Sequence, residues 1–131
     1  MQIQPTLRQE RTITENEVER FFEQWALDQA KVTELAPDIL RGFGGLFRAV
    51  MKEGALSVRE KELIALGIGL TVRCVPCINL HVEKCITAGA TAAQILEAAG
   101  VAVMMQGGPT FTHVPEVIHA LEHFGLLDEK S

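Results

Sequence analysis

The chain has 131 residues, 47% hydrophobic and 22% charged, with a formal net charge of −5. That length holds one domain with its own core, expected over residues 1–131, and is too short for two ordinary ones. The composition excludes a disordered chain, and an acidic balance without a basic run excludes nucleic acid and anionic membrane surfaces as expected partners.

The apolar mass is mostly Leu, Ile, Val and Ala; there is no Tyr and one Trp. Ala and Leu favour helix, so the composition leans toward an all-α fold. The longest apolar run, 63–72, has ten residues including Gly67 and Gly69, too few to span a bilayer. Met1 to Glu15 is polar and does not read as a signal peptide, so a cytoplasmic location is expected. Three cysteines, an odd number, argue against a secreted disulfide framework.

In chain order, residues 1–13 read as a polar N-terminal arm. A first helix is expected to begin near Thr14, with Glu17 completing a capping box, and to carry the stripe Val18, Phe21, Phe22, Trp25 and Ala26. Pro37 suits the first turn of a second helix through Ile39, Phe43, Leu46 and Val50, which Gly42, Gly44 and Gly45 interrupt as a kink or a close contact. Gly54 is its expected C-cap. Ser57 and Glu60 form a second capping box, opening a helix that is apolar all round after Glu62 and is expected to be buried on every side. Gly67 and Gly69 there predict close approach of another backbone.

After a break at 71–74, Pro76 fits the first turn of a helix that stops at Gly89. Thr91 caps the next, which runs to Gln106 and ends at Gly107-Gly108-Pro109. A last helix, Thr112 to Phe124, is expected to bury Val114, Val117, Ile118 and Leu121. About six helices with short connections make a single-domain all-α bundle, and its small-residue faces predict a homo-oligomer.

The chemistry concentrates in Cys74-Val75-Pro76-Cys77-Ile78-Asn79-Leu80-His81. Cys74 and Cys77 lie within disulfide reach. His81, four residues after Cys77, is about 40° from it around a helix, so the imidazole and the sulfur share a face. In the first turn, unpaired N–H groups and the positive dipole end favour a thiolate at Cys77. A nucleophile, a base and a second thiol in that order point to redox chemistry. Glu62, opening an apolar helix, is a candidate buried acid able to orient His81, although spacing does not bring the two together.

Zinc on Cys74, Cys77, His81 and Cys85 is the rival reading. Structural zinc usually draws ligands from two segments, and four residues along one helix converge poorly, so no metal and no cofactor are expected. Cys85 reads as a packed hydrophobe. His113, His119 and His123 read as solvated helix surface. The glycines at 42–45 lack the Lys-Ser/Thr of a phosphate loop.

At these residues the chain resembles the alkylhydroperoxidase AhpD-like branch of the carboxymuconolactone decarboxylase family. The family pattern, a Glu, eleven residues, then Cys-x-x-Cys-x-x-x-His, is met by Glu62, Cys74, Cys77 and His81. The stretch from Gly54 to Leu66 and Ala88-Gly89-Ala90-Thr91 are similar too, so the likeness spans about 36–124. It implies an AhpD-like helical subunit in a trimer or hexamer, and an oxidoreductase that reduces hydroperoxides. Cys77 would attack the peroxide, Cys74 would resolve the sulfenic acid as a disulfide, and His81 and Glu62 would relay protons. The implied reductant is a dithiol, such as a peroxiredoxin or a lipoyl- or thioredoxin-type protein. Pro76 stands where well-studied members carry a histidine. Alternatives are a redox-sensing or assembly module without turnover, and acid–base chemistry on a lactone or carboxylate.

Overall fold

In the computed structural model, which describes residues 3–127, the helices are α1 (Ile3–Leu35), α2 (Pro37–Met51), α3 (Val58–Thr71), α4 (Val75–Thr87), α5 (Ala92–Gln106), the four-residue α6 (Gly108–Phe111) and α7 (Val114–His123). No strand occurs among the described residues, so the all-α reading holds. Six long helices match the expected number, and α6 is a single turn inside the expected loop.

Local signals set most boundaries. The Ser57 hydroxyl accepts from the Glu60 N–H at 3.0 Å, and the Glu60 carboxylate accepts from the Ser57 N–H at 2.8 Å. The Ser57 N–H donated to the carboxylate, helped by the Ser57 side chain, holds Glu60 below its ordinary pKa. Thr91 and Gln94 repeat the arrangement at the start of α5. Gly89 and Gly107 follow α4 and α5 with φ of 94° and 81°, a region only glycine enters cheaply.

The core lies where α3 packs on α4 and α5, and α4 on α7. Leu66, Leu70, Ile78, Val82, Ile95, Val117 and Leu121 meet there with no solvent exposure. Val114 and Ile118, expected to be buried, are only half-buried and lie outside it. α1 is fastened along α7 by Phe22, whose ring stacks on His123 at 5.7 Å and meets Phe124 edge-on at 5.3 Å.

Four expectations are corrected. Helix α1 starts at Ile3, not near Thr14, so Thr14 and Glu17 lie inside it and most of the expected arm is helical. Pro5 falls in the first turn, where a missing N–H costs nothing, and Gln9, Glu10 and Arg11 are good helix formers. Helix α2 runs unbroken through Gly42, Gly44 and Gly45, and a Cβ at 42 or 45 would meet nothing within 4 Å. It ends at Met51, with Lys52 as C-cap, so Gly54 lies in the loop. Helix α3 is buried on one face only: Ile64 and Ile68 are more than half exposed, and a Cβ on Gly67 would meet open space.

Candidate active site at the start of α4

The turn between α3 and α4 delivers Cys74. Arg73 sits at φ 55°, and the N–H groups of Arg73 and Cys74 donate to the carbonyls of Leu70 and Gly69 at 3.1 and 3.0 Å. This is the Schellman pattern of helix termination, with arginine in the left-handed position glycine usually takes. The chain then enters α4 immediately. Cys74 is the N-cap, its sulfur accepting from the Cys77 N–H at 3.2 Å. Pro76 occupies the first turn, as its fixed φ and missing donor predict.

Cys74 and Cys77 are joined as a disulfide across a Cα–Cα distance of 5.2 Å. A neighbouring glycine makes room: a Cβ on Gly69 would lie 3.2 Å from Cys77 Cβ, so α3 approaches α4 closely here. Of the two glycines expected to allow such contact, only Gly69 does.

Glu62 and His81 are brought together by the α3–α4 packing. His81 Nδ1 and Glu62 Oε1 are 2.7 Å apart, with side chains 18% and 5% exposed. With a carboxylate as acceptor the shared proton sits on Nδ1, which leaves Nε2 as the basic nitrogen. The ring is also held from the side by Phe47, stacked at 6.3 Å. Of the four expected site residues, Cys77 and His81 line one cleft, Cys74 is joined to Cys77 by the disulfide, and Glu62 reaches the cleft only through His81.

Cys77 and His81 open into a cleft of about 440 Å³. Its apolar walls are Trp25 from α1, Phe43 and Phe47 from α2, and Pro76 and Leu80 from α4; Gln29, Arg48 and Lys84 add polar groups. Sequence reasoning missed these walls, because they come from three helices and each looks like ordinary core pattern alone.

Cys85 is fully buried in the core, and burial, with the Glu62 charge adding, pushes its thiol up to about 12. It stays a neutral, inert thiol at physiological pH. Among the described residues no group of three or more His, Cys, Asp or Glu is arranged to hold a metal ion. Of the histidines near the C-terminus, His123 is exposed as expected, whereas His113 and His119 are half-buried. His113 Nδ1 lies 2.9 Å from the Pro109 carbonyl, His119 Nδ1 is buried without a partner, and His123 stacks on Phe22.

An all-helical protein with a disulfide at a helix start and a Glu–His pair beside it is the class this site defines. The carboxymuconolactone decarboxylase family model matches residues 37–120, and the chain belongs to that family. It is similar to "uncharacterized protein 4 in cox locus" of Paracoccus denitrificans, 36% identical over 80 residues, 61% of this chain and 72% of that one. An uncharacterized Cupriavidus necator protein is 30% identical over 103 residues, 79% and 84% of the two chains. Among solved structures, a Legionella pneumophila member of the family superposes with a TM-score of 0.79 at 32% identity, covering 83% of this chain and 97% of that one. A Thermotoga maritima member, for which a part in antioxidative response has been suggested, gives 0.71 at 30% identity, covering 80% and 89%. No described helix is long and apolar enough to cross a membrane.

Proposed function

We propose that the protein is a thiol-dependent peroxidase that reduces organic hydroperoxides through Cys74 and Cys77. The observation that carries this reading is that disulfide-bonded Cys77 and His81 line one cleft, with Glu62 Oε1 2.7 Å from Nδ1 of that imidazole.

In the reduced enzyme, His81 Nε2 takes the Cys77 proton, and the thiolate is favoured by the first-turn N–H groups of α4. The sulfur attacks the distal peroxide oxygen; an S–O bond forms and the O–O bond breaks. The leaving alkoxide takes the proton from His81 and departs as an alcohol. The Cys74 thiol then attacks the sulfenic acid, releasing water and forming the Cys74–Cys77 disulfide. Two thiols and one hydroperoxide thus give a disulfide, an alcohol and water. An external dithiol, a peroxiredoxin or a lipoyl- or thioredoxin-type protein, restores the thiols by exchange. No cofactor enters this scheme, and a cytoplasmic setting supplies the reductant.

The same reading includes a homo-oligomer, a trimer or hexamer. Its support is the exposed apolar surface of α2, where Ile39, Phe43, Leu46 and Val50 are each more than half exposed, and of Ile64, Ile68, Val101 and Met105 on α3 and α5. Those faces also favour a second reading, a redox-sensing assembly module, because α2 both walls the cleft and presents apolar surface.

Consumption of cumene hydroperoxide with dithiothreitol as reductant tests the first reading. Turnover by the natural protein that vanishes in Cys77→Ser supports it; equal turnover in both proteins refutes it. Background turnover, combined with a sedimentation change on oxidation, selects the assembly module.

A further inference from the structure

The cleft that holds Cys77 and His81 carries two cations and, among the described residues, no carboxylate in its lining. In a chain of net charge −5 this is a local reversal of sign. The Arg48 guanidinium folds back over Gly44, where a Cβ would lie 3.3 Å from one of its nitrogens. Lys84 Nζ stands 5.1 Å from the centroid of the Phe47 ring, the same ring that stacks on His81. Neither cation is paired with a carboxylate among the described residues. Other cations of this part of the fold are engaged: Arg41 pairs with Asp38, and Lys61 donates to the carbonyls of Val50 and Lys52, each at 2.7 Å.

Two cations set against aromatic walls match an amphipathic anion. The guanidinium offers a planar fork for a carboxylate, and the ammonium a compact second charge. Trp25, Phe43 and Phe47 suit an apolar, ring-sized body between that anion and the sulfur. We propose that the cleft selects hydroperoxides that carry a carboxylate, with the peroxide at Cys77 and His81 and the carboxylate held by Arg48 and Lys84. The peroxide end rests on the peroxidase reading; the anion site rests on Arg48 and Lys84. The reaction keeps its balance: the S–O bond forms at Cys77, the O–O bond breaks, His81 returns the proton, and the product is a carboxylated alcohol, with the external dithiol as reductant.

The test compares para-carboxycumene hydroperoxide with its methyl ester, using uncharged dithiothreitol so that only the peroxide varies in charge. The natural protein is expected to favour the acid by about tenfold in kcat/KM, a preference that shrinks as salt is added. It falls to about one in Arg48→Gln/Lys84→Gln and inverts in Arg48→Glu/Lys84→Glu. Equal turnover of acid and ester, or a preference that survives the double substitution or is indifferent to salt, overturns the proposal.

The salt dependence uses the natural protein alone and holds the proposal falsifiable should a variant not fold. If neither peroxide is consumed, the peroxidase reading fails and binding decides the anion site. Trp25, the sole tryptophan, lines the cleft and reports occupancy by fluorescence. Para-isopropylbenzoate is then expected to bind about tenfold more tightly than para-isopropylbenzamide, with the difference lost in the double variant. Equal affinity, or no binding of the benzoate, overturns the anion site.

Discussion

Gly69 and Cys77 meet across the α3–α4 contact with no space for a side chain: a Cβ on Gly69 would stand 3.2 Å from Cys77 Cβ and 3.8 Å from the Cys77 carbonyl carbon. Cys77 is fixed from two sides, by its helix and by the disulfide, so it has little freedom to yield. Elsewhere in a helix, glycine to alanine gains about 1 kcal/mol of propensity, as expected for exposed Gly42, whose Cβ would meet nothing. Gly69→Ala is expected to forfeit that gain and finish at least about 1 kcal/mol less stable than Gly42→Ala, because packed backbones resist even one added methyl. Urea denaturation of the two single variants measures the difference; equal stabilisation would show that α4 moves aside freely.

The Glu62–His81 pair predicts a loss of rate without a loss of fold. Glu62→Gln keeps the size and an acceptor oxygen but removes the charge that faces His81 Nδ1. In metal sites, losing the carboxylate that orients a histidine typically costs about 10- to 100-fold in activity, and a loss of that order is expected here. The expected result is that loss in peroxide turnover with an unchanged circular dichroism spectrum. On the proposed relay, in which Glu62 acts through His81, Glu62→Gln added to His81→Ala is expected to cost almost nothing further. Additive losses would separate the two residues.

Cys85 predicts an alkaline limit. Its folded pKa is raised to about 12 by burial, against about 8.5 for an unfolded thiol. Below the unfolded value both states hold the proton and the thiol makes no pH-dependent contribution. Above it the unfolded chain releases the proton and the folded chain keeps it, so stability falls as pH rises from about 8.5 toward about 12, by up to about 1.4 kcal/mol per unit. The disulfide removes Cys74 and Cys77 from this titration, and the chain has no tyrosine. Urea midpoints of the oxidised protein from neutral pH to about 10 are expected to decline, and Cys85→Ala to flatten the decline while costing stability at neutral pH. An equal slope in the variant would assign the decline to the lysines.

What could be read in the sequence was what short-range chemistry dictates. Ser57 with Glu60, Thr91 before α5, Pro76 at the start of α4 and Gly89 after it each act within four residues, and each is where the pattern put it. The same logic failed at Thr14, since a capping box inside a run of helix formers does not oblige a helix to begin. It failed again on α3, where an apolar circumference was read as full burial although α4 and α5 cover only one side. The Glu62–His81 contact joins residues 19 apart, and the cleft gathers α1, α2 and α4. Such relations depend on how helices dock, which periodicity does not encode.

Phe47 ties that docking to selectivity. Its ring stacks on His81 at 6.3 Å, carries Lys84 5.1 Å from its centroid and forms a wall of the cleft beside Cys77. It stands outside the buried core, because no residue of α2 is buried. Phe47→Ala is therefore expected to cost about 1 kcal/mol of stability, well below the roughly 3–5 kcal/mol of a fully buried phenylalanine, because the ring is half-buried. Its effect should fall on large substrates. On the peroxidase reading the aromatic wall positions the body of cumene hydroperoxide, and losing one ring contact of about 1 kcal/mol predicts a drop in kcat/KM of roughly fivefold or more. Hydrogen peroxide has no body to position, so its turnover is expected to fall much less. Parallel rates with the two peroxides measure this; equal proportional losses would mean that Phe47 acts on the His81 ring alone.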